Sequence, residues 1–181
     1  DTSVKAEAYL KDCMEKQDSA GGIIECIVNG MPIGIGEPVF DKLDANLAKA
    51  IMSIGAVKAV EIGDGIKVSQ TYGSENNDAF YMDGHSVCKK TNHSGGILGG
   101  MSDGSNIILR AHFKPTPSIS QPQTTVTNEG KETTIEIHGR HDPVIVPRAV
   151  VVVESMVAVT ILDMMMENMS ARLDYLKNFY N

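Results

Sequence analysis

A chain of 181 residues, 42% hydrophobic and 22% charged, has the length and composition of one folded globular domain and excludes a disordered chain. At that length about 70% of the unfolded surface can be buried. The net charge of −7 argues against a nucleic-acid partner, because a phosphate backbone requires a basic footprint, so any phosphate bound here must meet a local basic pocket.

With no Trp and only 4 Phe, the core falls to Val, Ile, Leu, Ala and the 10 Met, several of them crowded near the C-terminus. The cysteines Cys13, Cys26 and Cys88 are odd in number and form no CxxC pair, which favours a reducing compartment over a disulfide scaffold.

In chain order, residues 2–17 place Val4, Ala8, Cys13 and Met14 roughly on one face and predict an amphipathic helix, ended by Asp18-Ser19-Ala20-Gly21-Gly22. Residues 23–28 predict a strand closed by Asn29-Gly30. After Gly34-Ile35-Gly36, the pair Glu37-Pro38 reads as a helix start, and Phe40, Leu43, Leu47, Ile51 and Ile54 continue the helical spacing. A second strand is expected over 57–62, stopped by Gly63-Asp64-Gly65. Residues 70–104 lack periodicity and read as one long loop, functional or disordered. Strands over 106–113 and 133–138 are expected to pair antiparallel across a Pro-containing connection. Pro147 opens a last helix running to about 167, with a helical tail at 171–179. The order predicts an α+β fold, a layered sandwich of antiparallel sheet and helices, in one domain over 1–181.

Asp1-Thr2-Ser3 and the charged pattern after it lack the basic start and apolar run of a signal peptide. Residues 144–166 are strongly apolar, but Arg148, Glu154 and Asp163 interrupt them. They therefore read as a buried helix, and no membrane partner is expected. Asn92-His93-Ser94 and Asn168-Met169-Ser170 fit the glycosylation sequon without a secretory context and read as chance matches.

Three segments carry chemistry. In Lys114-Pro115-Thr116-Pro117-Ser118 two prolines stiffen a strand exit bearing one ammonium and two hydroxyls, a donor set suited to phosphate; the plainer reading is a rigid edge-strand exit. Gly95-Gly96-Ile97-Leu98-Gly99-Gly100 allows close approach of a ligand or another backbone, or is a flexible turn. In Gly139-Arg140-His141-Asp142-Pro143 the Arg fork suits phosphate or flavin carbonyls, and His beside Asp can move protons near neutral pH; an Arg–Asp surface pair is the alternative. His138 with His141, and His85 with His93, make unpersuasive metal pairs, so no metal is expected. No Gly-x-Ser-x-Gly elbow or Walker loop occurs.

These segments also form an ordered set. Asp18-Ser19-Ala20-Gly21-Gly22 is followed by Gly34-Ile35-Gly36-Glu37-Pro38-Val39-Phe40-Asp41-Lys42-Leu43-Asp44, then by residues 56–65 and by Thr91-Asn92-His93-Ser94 with the glycine pairs after it. The Lys114 to Ile119 segment and Gly139 to Arg148 complete the set. Over residues 18–165 the chain resembles the C-terminal half of the chorismate synthase family. Val144 stands where that family usually has Cys, and Ala59 where it usually has Gly. The family's N-terminal segments, which hold its two catalytic histidines, have no counterpart in this sequence, and none of the 5 histidines here inherits that role.

The resemblance implies a lyase of the shikimate pathway and aromatic amino-acid biosynthesis. Its substrate is 5-enolpyruvylshikimate 3-phosphate, which loses phosphate in an anti-1,4-elimination assisted by reduced FMN, and the family is also associated with NADP. It further implies a cytoplasmic homotetramer. By resemblance, Gly55, Ala56, Gly99, Lys114, Pro115, Thr116, Pro117, Ser118 and Arg140 line the flavin site, and Asp142 relays a proton near the flavin N5. The chain by itself is expected to be inactive. A second reading is a non-catalytic phosphate- or flavin-binding or assembly module.

Overall fold

In a computed structural model of the chain, residues 2–139 and 141–180 are described. The first pattern folds as α1 (Thr2–Glu15), which buries only Cys13 and ends at Gln17 in a left-handed conformation, φ +55°. Strand β1 (Gly22–Val28) follows, then α2 (Leu43–Met52) and β2 (Val57–Ile62). A 3₁₀ turn at Gly65–Gln70 and the one-turn α3 (Gly73–Asn76) lead to the hairpin β3 (Phe80–Asp83) and β4 (Ser86–Lys89). A second, minimal hairpin joins β5 (Ile97–Leu98) to β6 (Met101–Ser102). Then come β7 (Ile107–Phe113), β8 (Gln123–Val126), β9 (Glu132–Ile135), α4 (Val146–Asn168) and α5 (Leu173–Tyr180).

The central sheet has the order β1-β7-β2, with both ladders antiparallel. Strand β7 decides its two faces. Ile107, Leu109, Ala111 and Phe113 are buried, while Ile108, Arg110 and His112 alternate onto the other face. The buried face receives Leu43, Leu47 and Ile51 from α2 and Val153, Val157 and Ile161 from α4. Fully burying side chains of this size is worth about 1.5–3 kcal/mol each, so this layer is the main source of stability. The α+β layering therefore stands as expected.

Four details differ from the sequence reading. Helix α2 begins at Leu43 and not at Glu37-Pro38, because Val39 takes φ +79° and Lys42 is extended; Phe40 stays outside the helix, 88% exposed. Residues 70–104 are not one loop but hold two hairpins, the first turning at Gly84 with φ +59°. Strand β3 carries no alternation because it is exposed on both faces, and β5 and β6 are too short, at two residues each, to show one. The strand over 107–113 does not pair with the one after it. Its two neighbours are β1 and β2, and β9 pairs with β8 as a separate hairpin once the prolines have carried the chain off the sheet.

Finally, α4 is not buried all round. By length and apolar composition it would pass as a membrane span, yet its Ala149-Val153-Val157-Ile161-Met164 stripe packs into the core. Val151, Val159, Leu162 and Met166 remain exposed on the opposite flank.

Candidate functional site

The end of β7 feeds directly into the Lys114–Ser118 segment. Lys114 N donates to Ala56 O at 2.9 Å, which ties this exit to the turn after α2. Ala56 there has φ +70°, a conformation that costs a residue with a β-carbon and that persists only where its surroundings enforce it. The Lys114 side chain is exposed and makes no ion pair among the described residues. Thr116 accepts a hydrogen bond at its carbonyl from Ser19 Oγ, 2.7 Å away, while its own Oγ1 is buried without a hydrogen-bond partner among the described residues. A buried hydroxyl left in that state is costly.

The second segment folds beside the first. Ser118, Asp18, Ser19, His141 and Asp142 line a common cavity of about 180 Å³. Asp142 is half-buried, and its Oδ2 accepts from Arg148 Nη1 at 2.7 Å. The described partner of Asp142 is thus in the first turn of α4. His141 Nε2 lies 3.0 Å from Ile137 O, so the neutral ring donates there and leaves Nδ1 as its acceptor. Segments far apart in sequence therefore converge on one small polar cleft.

Two charged clusters lie elsewhere, and neither was singled out from the sequence. Lys89 Nζ is bonded to Asp78 Oδ2 at 3.2 Å, Asp103 Oδ2 at 2.7 Å and Ser94 Oγ at 2.9 Å, with the three charged side chains at most 9% exposed. Burial opposes the Asp78 charge, but hydrogen bonds from Thr91, Ser94 and His93 N outweigh it and hold the carboxyl below its ordinary range. On the outer sheet face Arg110 stands opposite both Glu25 and Glu61 in the two ladders. Its Nε donates to Glu61 Oε2 at 3.0 Å and its Nη1 to Glu25 Oε2 at 3.2 Å. The Arg110 bond, followed by one from Ile66 N, lowers the Glu61 carboxyl from 4.5 to about 2.

The profile of the family described as "Chorismate synthase" matches residues 1–166. The chorismate synthase of Lachnoclostridium phytofermentans is 60% identical over 181 residues, covering 99% of this chain and 49% of that protein. The chain belongs to the chorismate synthase family. Its counterpart in Agathobacter rectalis is 57% identical over 180 residues, with the same coverage of both. A crystal structure of a chorismate synthase superposes with a TM-score of 0.75 at 28% identity, covering 97% of this chain and 46% of that one. The chain spans about half the length of the curated relatives it matches.

The family residues expected from the sequence fall into two groups. Ala56, Lys114, Thr116, Ser118 and Asp142 are linked in series by the Ala56–Lys114 bond, the Lys114–Ser118 segment and the cavity, with Gly55, Pro115 and Pro117 beside them. Gly99 is apart from them. Its neighbour Gly100 accepts from Leu43 N at the first residue of α2, whereas Gly55-Ala56 follow the last, and a helix of 10 residues spans about 15 Å. Arg140 lies outside the described residues. Of the expected phosphate donors, Ser118 lines the cavity, while Lys114 and Thr116 precede it on the same segment and are not in the cavity wall. A cavity of about 180 Å³ is smaller than the roughly 300–1,000 Å³ of ordinary ligand pockets, so by itself it would enclose only part of a flavin mononucleotide.

Ser19 is the residue that motif reading passed over. It enters the sequence reading as part of a helix-ending glycine run and of the first family motif, without a role of its own, and its contact with Thr116, 97 positions away, has no signal in local sequence.

Proposed function

We propose that this chain is the C-terminal half of a chorismate synthase, forming one domain of the larger protein. The intact enzyme would be a cytoplasmic homotetramer that eliminates phosphate from 5-enolpyruvylshikimate 3-phosphate to give chorismate. The observation that carries the reading is the convergence of Ser118 and Asp142 on one cavity, in a chain 60% identical over its length to a chorismate synthase.

In this reading Lys114, Thr116 and Ser118 hold phosphate oxygens, with Pro115 and Pro117 keeping the three donors in one geometry. Reduced FMN, when bound, supplies electron density that assists departure of the substrate phosphate. Asp142 holds or moves a proton at its carboxylate, and Arg148 fixes the orientation of that carboxylate from α4. Arg140 adds a planar cationic fork to the same segment. The uncovered apolar flank of α4, with Val151, Val159, Leu162 and Met166, supports the reading of a partial chain, because monomers seldom leave such stripes open.

The test is turnover. The full-length protein carrying this chain, given reduced FMN and 5-enolpyruvylshikimate 3-phosphate, should release chorismate and phosphate in equal amounts. Binding of oxidised and reduced FMN, measured alongside, separates the enzyme from a binding or assembly module. Tight FMN binding by folded full-length protein without turnover would favour the module.

A further inference from the structure

The Asp18-Ser19-Ala20-Gly21-Gly22 run touches both halves of the candidate site. Ser19 Oγ donates to Thr116 O at 2.7 Å, on the Lys114–Ser118 side. The next residue, Ala20, donates its N–H to Pro143 O at 2.7 Å and forms a parallel bridge with Val144, on the Asp142 side. Its two glycines are set by close approach. A β-carbon on Gly21 would lie 2.5 Å from Phe113 O, and one on Gly22 would lie 2.8 Å from Val146 Cγ2. The run is therefore wedged between the end of β7 and the start of α4, and both faces of the wedge are occupied.

We propose that residues 18–22 are a strap that sets the distance between the phosphate-binding segment and the Asp142 turn, with Ser19 as its positioning residue. The inference rests on the flavin reading above and extends it to Ser19, which lies in the wall of the same cavity and whose hydroxyl is engaged by the Thr116 carbonyl. A proline-stiffened segment has few internal hydrogen bonds to define where it points, because Pro115 and Pro117 have no N–H to give. The Thr116 carbonyl is its one described side-chain anchor outside the segment besides Gln123, whose Nε2 donates to Pro117 O at 3.0 Å from the solvent side. Removing the Ser19 hydroxyl frees the segment to move relative to Asp142 while leaving Lys114, Thr116 and Ser118 in place chemically. Ligand binding then has to supply the ordering that the strap supplies in advance.

The experiment uses the full-length enzyme and measures FMN affinity by flavin fluorescence, with a melting curve on the same preparation. Ser19→Ala should weaken FMN binding roughly five- to tenfold, the effect of one lost neutral hydrogen bond on a preorganised segment. Ser19→Thr, which keeps the hydroxyl, should restore it. Ser155→Ala, which removes a hydroxyl bonded to Val151 O on exposed α4, should leave FMN binding unchanged and sets the loss of melting temperature expected from a simple deletion. Equal FMN affinity in Ser19→Ala and the unsubstituted enzyme would overturn the strap alone. Weaker binding matched by a large drop in melting temperature, and not rescued by Thr, would reduce Ser19 to a fold residue and overturn it as well. Absence of FMN binding by the unsubstituted enzyme would instead overturn the flavin reading beneath it.

Discussion

Arg148 Nη1 donates to Asp142 Oδ2 at 2.7 Å, so the first turn of α4 holds the one carboxylate that the family resemblance places in the chemistry. The pair is open to solvent, with side chains 73% and 35% exposed, and an ion pair of that kind contributes about 0–1 kcal/mol. Its value is orientation more than stability. Asp142→Asn in the full-length enzyme keeps the shape and most hydrogen bonds but cannot carry a proton. Turnover should fall about 10²–10⁴-fold, with FMN binding and melting temperature little changed. Near-normal turnover with lost stability would remove Asp142 from the mechanism.

Lys114 and Arg140 are tested through FMN affinity. Each offers a charge-assisted bond worth about 1.5–3 kcal/mol, so Lys114→Ala or Arg140→Ala should each weaken FMN binding by at least about tenfold. Unchanged affinity would return Lys114 to a strand-exit role and Arg140 to a surface role.

The isolated 181-residue chain should give no chorismate above background with reduced FMN and substrate, because it spans about half the length of its relatives. Measurable turnover by purified fragment would show that the acid–base groups needed are within these residues.

Lys89 provides a test of the fold. Its ammonium lies between Asp78 and Asp103, all at most 9% exposed, and Lys89→Met would leave two buried carboxylates without their cation. Removing one partner from a buried pair costs about 3–5 kcal/mol, which a denaturant titration would register as a lower midpoint. A midpoint within error of the unsubstituted protein would show the cluster to be hydrated in solution.

Glu61 predicts a pH dependence. Its folded carboxyl titrates at about 2 against an ordinary 4.5, so its contribution is fully present above 4.5 and is lost as pH falls from there towards 2. Glu61→Gln should be less stable than the unsubstituted protein at neutral pH, and the gap should close on acidification through that window. A gap that stays constant with pH would assign it to packing.

The sequence by itself determined the elements whose partners are local. The Leu43-Leu47-Ile51 spacing marked α2, the apolar runs marked β1, β2 and β7, and Pro147 marked the start of α4, because helical and strand periodicities are written within a few residues. The same holds for the stiffness of Lys114–Ser118, which two prolines impose unaided. Only the tertiary structure decided which strands pair. Strand β7 takes its neighbours from residues 22–28 and 57–62, and the Arg110–Glu61–Glu25 alignment follows from a register that no local pattern specifies. It also decided that Phe40 falls outside α2, through the positive φ of Val39, and that the open flank of α4 is apolar. The cavity joining Ser19, Ser118 and Asp142 belongs to the same class. Its residues meet because a sheet, a wedge of small residues and a helix start close on one another in space, and sequence separation carries no record of that distance.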